Sequence, residues 1–231
     1  MTSPTSNPSR SFGLDAFNPA DAARAWACGW AISRGTPAPV EGPGYFRILV
    51  GKPDQVTRYV LPRLDHEVLR KLVSIDVAPG TWLKVCAAPE DVARLLSSDW
   101  TVHAPEFLMV ATLAGKTDAT GVAGYRVQAE RAGAIVSVRL VTESGDVAAS
   151  GQAAVDGAFA AFDQIVTSEA HRRKGLGRCV MAALSEAAIG LGATHGVLVA
   201  TEAGAALYTA LGWSVVSPVT AASNSAGAPA A

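Results

Sequence analysis

The stretch Asp163–Cys179, DQIVTSEAHRRKGLGRC, decides how the rest of the chain is read. A β-type run ends at Ile165-Val166-Thr167, a short connector follows, and Arg172-Arg173-Lys174-Gly175-Leu176-Gly177 opens a helix. From Leu176 the apolar residues Cys179, Val180, Ala183, Leu184, Ala187 and Leu191 recur at the spacing of one helical face. A strand that passes into a helix through such a turn presents free backbone N–H groups at the positive end of the helix dipole, a ready anion site. Glycine allows the backbone to approach the anion closely. Arg172, Arg173, Lys174 and Arg178 add charge-assisted donors suited to phosphate.

Two common phosphate-binding patterns are excluded. The single Gly-Lys-Thr, at Gly115-Lys116-Thr117, is preceded by Val110 where a P-loop requires glycine. No G-x-G-x-x-G follows a strand. What remains is Arg172-x-x-Gly175-x-Gly177, a Q/R-x-x-G-x-G/A turn. Downstream, Val197–Ala200 reads as a buried strand and Glu202–Leu211 as a short helix capped by Thr201, with Gly212 suited to a left-handed C-cap. Trp213–Val216 begins a further strand.

The turn, together with Ala206-Leu-Tyr-Thr-Ala-Leu-Gly-Trp213, resembles the GNAT superfamily of acyl-CoA-dependent N-acetyltransferases, with a clear match over about residues 134–218. The resemblance implies an α/β (α+β) fold: a central mixed, largely antiparallel sheet flanked by helices. It implies acetyl-CoA as cosubstrate and direct attack of an amine on the thioester. The backbone of Ile165, Val166 and Thr167 would pair with the pantetheine arm, and Arg172, Arg173, Lys174, Gly175, Leu176, Gly177 and Arg178 would wrap the pyrophosphate. Tyr208 matches the family tyrosine that protonates the departing thiolate. Thr201 stands where many members carry an asparagine that orders the cofactor. Asp163, two residues before Ile165, is the first candidate for the base, whereas Glu143 and His171 read as solvated or structural.

With 231 residues, 49% hydrophobic and 17% charged, the chain has enough apolar material for one large core or two small ones. A net charge of −1 makes no case for nucleic acid or a membrane surface. Three scattered cysteines suggest free thiols, hence a cytoplasmic setting; His66 and His103 share no metal-ligand spacing with one another or with any cysteine, and His195 reads as the start of a strand. Core packing is the expectation for each of the five tryptophans.

The expected organisation is a disordered tail over 1–13, an N-terminal α/β module over 14–113, a linker over 114–121, the acetyltransferase domain over 122–218 and a second disordered tail over 219–231. Within the first module, Trp82–Cys86, Pro89–Leu96 and Trp100–His103 repeat the strand, short helix, Trp-initiated strand order of Val197–Val216. The module therefore reads either as a degenerate half-copy of the same unit or as an unrelated β-α-β piece that walls the acceptor pocket. Lacking the basic glycine turn, it is not expected to hold a cofactor. The acceptor is expected to be a small amino-acid-like amine. A protein lysine or N-terminus, and a non-catalytic acyl-CoA-binding module, stand as alternatives. A homodimer is possible by analogy with the family.

Overall fold

The computed structural model describes residues 18–74, 77–113 and 121–224. The expected tail at 1–13 and the linker residues 114–120 lie outside them.

The chain begins with a helix, α1 (Pro19–Arg34), and Asn18 caps it by accepting from the Ala20 amide at 3.0 Å. Proline at the first helical position needs no hydrogen-bond partner for its nitrogen, and Gly35 ends the helix at φ 63°. There follow β1 (Val40–Gly42), β2 (Tyr45–Lys52), β3 (Gln55–Leu61), α2 (His66–Ser74), β4 (Thr81–Val85), α3 (Pro89–Ala93), β5 (Trp100–Val102) and β6 (Glu106–Thr112). The second half comprises β7 (Tyr125–Ala132), β8 (Ile135–Thr142), β9 (Val147–Asp156), β10 (Phe159–Thr167), α4 (Leu176–Gly190), β11 (His195–Thr201), α5 (Glu202–Ala210) and β12 (Ser214–Asn224).

All twelve strands join one sheet in the order β1-β2-β3-β4-β12-β6-β11-β10-β9-β8-β7, with β5 alongside β12. Two pairings are parallel, β3 with β4 and β10 with β11, and each is bridged by a helix, α2 or α4. The remaining neighbours are antiparallel. This agrees with the expected mixed, largely antiparallel sheet flanked by helices.

Three apolar layers follow from the alternation of side chains along these strands. On one face Ala22, Ala23, Trp26, Ala27 and Trp30 of α1 pack on Ile48, Val60, Leu108, Val110, Ala161 and Val197. The helix lies close to the sheet because residue 29 is glycine: a Cβ there would stand 2.3 Å from the Ala161 methyl. On the other face α4 and α5 cover Met109, Val138, Leu140, Phe162 and Leu198 with Val180, Leu184 and Tyr208. Leu61, Leu83 and Val85 are likewise covered by Leu69 and Val92 of α2 and α3. Each fully buried Leu or Val contributes roughly 1.5–3 kcal/mol.

Two expectations are corrected. Residues 219–224 are not a tail. They continue β12, with Thr220–Ser223 paired to Val85–Trp82 of β4, and Val219, Thr220, Ala221 and Ala222 are buried. The Ala/Ser-rich composition that suggested disorder is instead that of a strand squeezed between two neighbours. Nor do the strands sort into modules at the expected boundary: β6 is inserted between β12 and β11, although it belongs in sequence to the first half. Helical cover for one face of the sheet is supplied by α1.

Ala222 is fully buried among Leu61, Leu83, Val92 and Trp100. Ala222→Asp should cost about 3–5 kcal/mol by burying an unpaired carboxylate, lowering the melting temperature by about 10 °C in a thermal scan. A tail would tolerate the change.

Candidate active site

The parallel pairing of β10 with β11 lasts for three residue pairs, from Phe159↔His195 to Ala161↔Val197. Beyond it each strand keeps its outer neighbour, β10 with β9 to Thr167↔Ala149 and β11 with β6 to Thr201↔Glu106. The inner edges therefore part. The cause is local: the β9 register slips between Asp163 and Val166, and Gln164 adopts φ 56°, a bulge that bends β10 away.

The opening forms a groove of about 910 Å³. Its walls are Ile165, Val166 and Thr167 of β10, then Arg172, Arg173 and Gly175 of the connector, and Leu176, Gly177 and Arg178 at the start of α4. Thr201, Ala203, Gly204, Ala206 and Leu207 close the far side. Ten of the residues expected from sequence thus meet in one groove. Lys174 does not join them. Its ammonium donates to the Tyr125 hydroxyl at 3.2 Å, and that hydroxyl is 2.8 Å from Nδ1 of His171. Sequence reasoning missed the α5 wall, although its small residues Ala203, Gly204 and Ala206 adjoin Tyr208 and were a legible sign of close backbone approach.

The α4 end of the groove is built for an anion. Gly175 is the N-cap at φ 79° and brings no side chain to the first amides; Arg173 before it sits at φ 64°. Such alternation aims successive N–H groups into one hollow. Arg172, Arg173 and Arg178 are exposed around it. At Gly177 a Cβ would meet Leu207 Cδ2 at 3.1 Å, so α4 and α5 approach closely there.

Tyr208 lies on the inner side of α5, 8% exposed, with its ring 6.1 Å from that of Trp213. Burial, and secondarily the Asp163 carboxylate, push its pKa up to about 12. The phenol therefore keeps its proton at neutral pH and can only donate or accept a hydrogen bond.

Asp163 is on the α1 face of β10, and its carboxylate is fully engaged. Oδ2 accepts from Arg34 Nε at 2.6 Å and Ser33 Oγ at 2.8 Å; Oδ1 accepts from Arg34 Nη2 at 3.0 Å and the Gln164 amide at 2.8 Å. Gln152 donates to the Ser33 carbonyl at 2.8 Å. Four donors occupy the lone-pair positions of two oxygens, which argues against the expected role as base. The group instead ties the bulge to the last turn of α1.

The residues at 89–213, more than half of the chain, match the acetyltransferase (GNAT) family model. No curated protein matches in sequence. Among solved structures the chain is similar to a GCN5-related N-acetyltransferase from Kribbella flavida, with TM-score 0.65, 16% identity, and coverage of 90% of this chain and 96% of that one. Similar too are a GCN5-related N-acetyltransferase from Sphaerobacter thermophilus, TM-score 0.58 and 13% identity over 90% and 93% of the two chains, and a GNAT-family acetyltransferase from Novosphingobium aromaticivorans, TM-score 0.56 and 15% identity over 90% and 100%. At these identities the structures speak for the fold; the family match, on a chain with this basic turn, makes the protein a member of the GNAT acetyltransferase family and an acyltransferase.

Proposed function

We propose that the protein transfers an acetyl group from acetyl-CoA to the primary amine of a small, amino-acid-like acceptor. The observation that carries this is the groove where β10 and β11 part, with a glycine-capped helix start and three exposed arginines at one end and, behind the lining residue Gly204, the buried Tyr208, whose ring a Cβ on Gly204 would meet at 3.2 Å. The freed edge of Ile165–Thr167 offers N–H and C=O groups to an amide-bearing arm, and the α4 end offers amides and guanidinium groups to a pyrophosphate. Thr201 lines the groove while its hydroxyl accepts from the Gly204 amide at 3.2 Å, so its part is to fix the start of α5. In the reaction the amine nitrogen attacks the acyl carbon, the C–S bond breaks, the thiolate takes the Tyr208 proton, and the nitrogen gives up its own proton to solvent or a neighbouring base. Asp163 acts as a positioning residue that holds the bulge.

The first half reads in the same terms as a second, closed copy of the unit. Its parallel pair, β3 and β4, stays joined from Thr57↔Thr81 to Leu61↔Val85, so no gap opens. The start of α2 is filled by Asp65, whose Oδ1 accepts from the Glu67 and Val68 amides at 3.0 and 3.1 Å, where α4 leaves its amides free of any side-chain cap. A structural neighbour titled as a tandem GNAT protein, TM-score 0.50 and 15% identity over 65% of each chain, is in keeping with this reading.

Calorimetric titration with acetyl-CoA should give one molecule per chain. Gly175→Glu, at a backbone cost of about 1–2 kcal/mol, should weaken binding about 100-fold or more by setting a carboxylate against the pyrophosphate; undiminished affinity would refute the cofactor assignment. Tyr208→Phe should lower kcat about 100-fold with little change in KM for acetyl-CoA. Because the phenol ionises only near pH 12, wild-type turnover should show no descending limb from it below about pH 10. Asp163→Asn should raise KM for acetyl-CoA about tenfold and lower stability by about 1.5–3 kcal/mol, while leaving the acidic limb of the pH–rate profile in place; loss of that limb would restore Asp163 as the base.

A further inference from the structure

The α1 face of the sheet carries a belt of charge directly beneath the last turn of that helix. It comes from both halves of the chain. Arg58 of β3, Glu106 of β6 and Asp163 of β10 each stand two residues along their strand from an apolar residue packed in the α1 layer, respectively Val60, Leu108 and Ala161, and Lys84 of β4 is paired in register with Val60. They therefore share its face. The belt adjoins the opening of the groove, since Glu106 is paired across the ladder with Thr201 and Asp163 sits at the bulge.

Its charges do not cancel. Asp163 is held by Arg34, and Glu106 is held by the Lys84 ammonium. The remaining cation, Arg58, has no ion pair among the described residues. It is 8% exposed, its guanidinium lies 3.8 Å above the Trp30 ring and 5.8 Å from that of Trp26, and its Nε and Nη2 both donate to the Gln55 side-chain oxygen at 2.8 Å. Burial lowers its pKa to about 10. A guanidinium this deep, with Glu106 and Asp163 acting on it only from beyond ion-pair distance, bears a desolvation cost that the indole faces and Gln55 offset only in part. The belt reaches solvent, with side-chain exposures of 8% at Lys84, 22% at Glu106, 17% at Asp163 and 30% at Arg34.

We propose that Arg58 is a specificity-determining residue that pairs with a carboxylate of the acceptor, so that the amine transferred to belongs to an amino acid and not to a simple alkylamine. This rests on the reading of the groove as the acyl-CoA site. The acceptor would approach from the α1 face, opposite the face covered by α4 and α5, with its carboxylate toward Arg58 and its nitrogen toward the parted strands. Arginine suits the task, because its planar fork can take both carboxylate oxygens while its flat sides stay on the indoles.

The test combines thermal shift with steady-state turnover for wild type, Arg58→Gln and Arg58→Lys. Coenzyme A is added first, then matched probes: phenylalanine against phenethylamine, histidine against histamine, lysine against cadaverine, and the remaining free amino acids. In the presence of coenzyme A, at least one amino acid should raise the wild-type melting temperature while its decarboxylated partner does not. The corresponding kcat/KM ratio should favour the amino acid by tenfold or more. Arg58→Gln should collapse that ratio at least tenfold while still showing a coenzyme A shift. Should it fail to fold, Arg58→Lys decides, since losing the bidentate fork should reduce the ratio several-fold. A shift with coenzyme A but with no amino acid, or an undiminished ratio in the variants, would overturn the inference and leave the cofactor reading intact. Absence of a shift with coenzyme A would overturn both.

Discussion

The separation of β10 from β11 is the constraint on which the rest of this molecule depends. Two parallel strands left alone would zip together, because each added rung satisfies backbone N–H and C=O groups. Here the bulge at Asp163–Val166 prevents it, and the bulge is held by a carboxylate that takes two bonds from Arg34, one from Ser33 and one from the Gln164 amide. α1 is thereby more than cover for a sheet face. Its last turn holds a strand in a bent form, at a distance in sequence of about 130 residues, and the glycine at 29 lets the helix lie close enough to reach.

The two parallel pairs of the sheet show what that device achieves. In the first half β3 and β4 remain zipped, a proline and Asp65 follow, and the carboxylate satisfies the amides of α2 internally. In the second half the strands part, a glycine caps α4, and no side chain claims its first amides. The same local topology therefore yields one closed and one open site, and the difference resides in a handful of residues at the strand-to-helix turn.

Much of the open site was legible in the sequence because its determinants are contiguous. The turn from Arg172 to Arg178 and the segment around Tyr208 advertise their conformation through glycine placement and helical periodicity, and the turn, apart from Lys174, lines one groove with Ala206 and Leu207, with Tyr208 buried behind them. What the sequence concealed was long-range. Nothing near Asp163 announces Arg34, so an acidic residue beside the expected reaction centre looked like a base. Lys174 could not be told from its arginine neighbours until Tyr125 and His171 were seen to claim it. The strand at 219–224 was hidden by composition: alanine and serine fit a crowded central position as well as they fit a flexible tail, and only pairing with β4 and β5 distinguishes the two. The belt of Arg58, Lys84 and Glu106 is invisible in one dimension, since its members come from three strands of the first half and face a helix that precedes them all.

The exchange of end strands between the halves also has a consequence during synthesis. Both neighbours of β6 in the sheet, β11 and β12, lie more than eighty residues downstream. While the nascent chain is being made, β6 must wait with both edges unpaired until β11 is available, and with one edge open until β12 follows. The sheet has high contact order for this reason, and its slowest and most aggregation-prone moment precedes the arrival of β12.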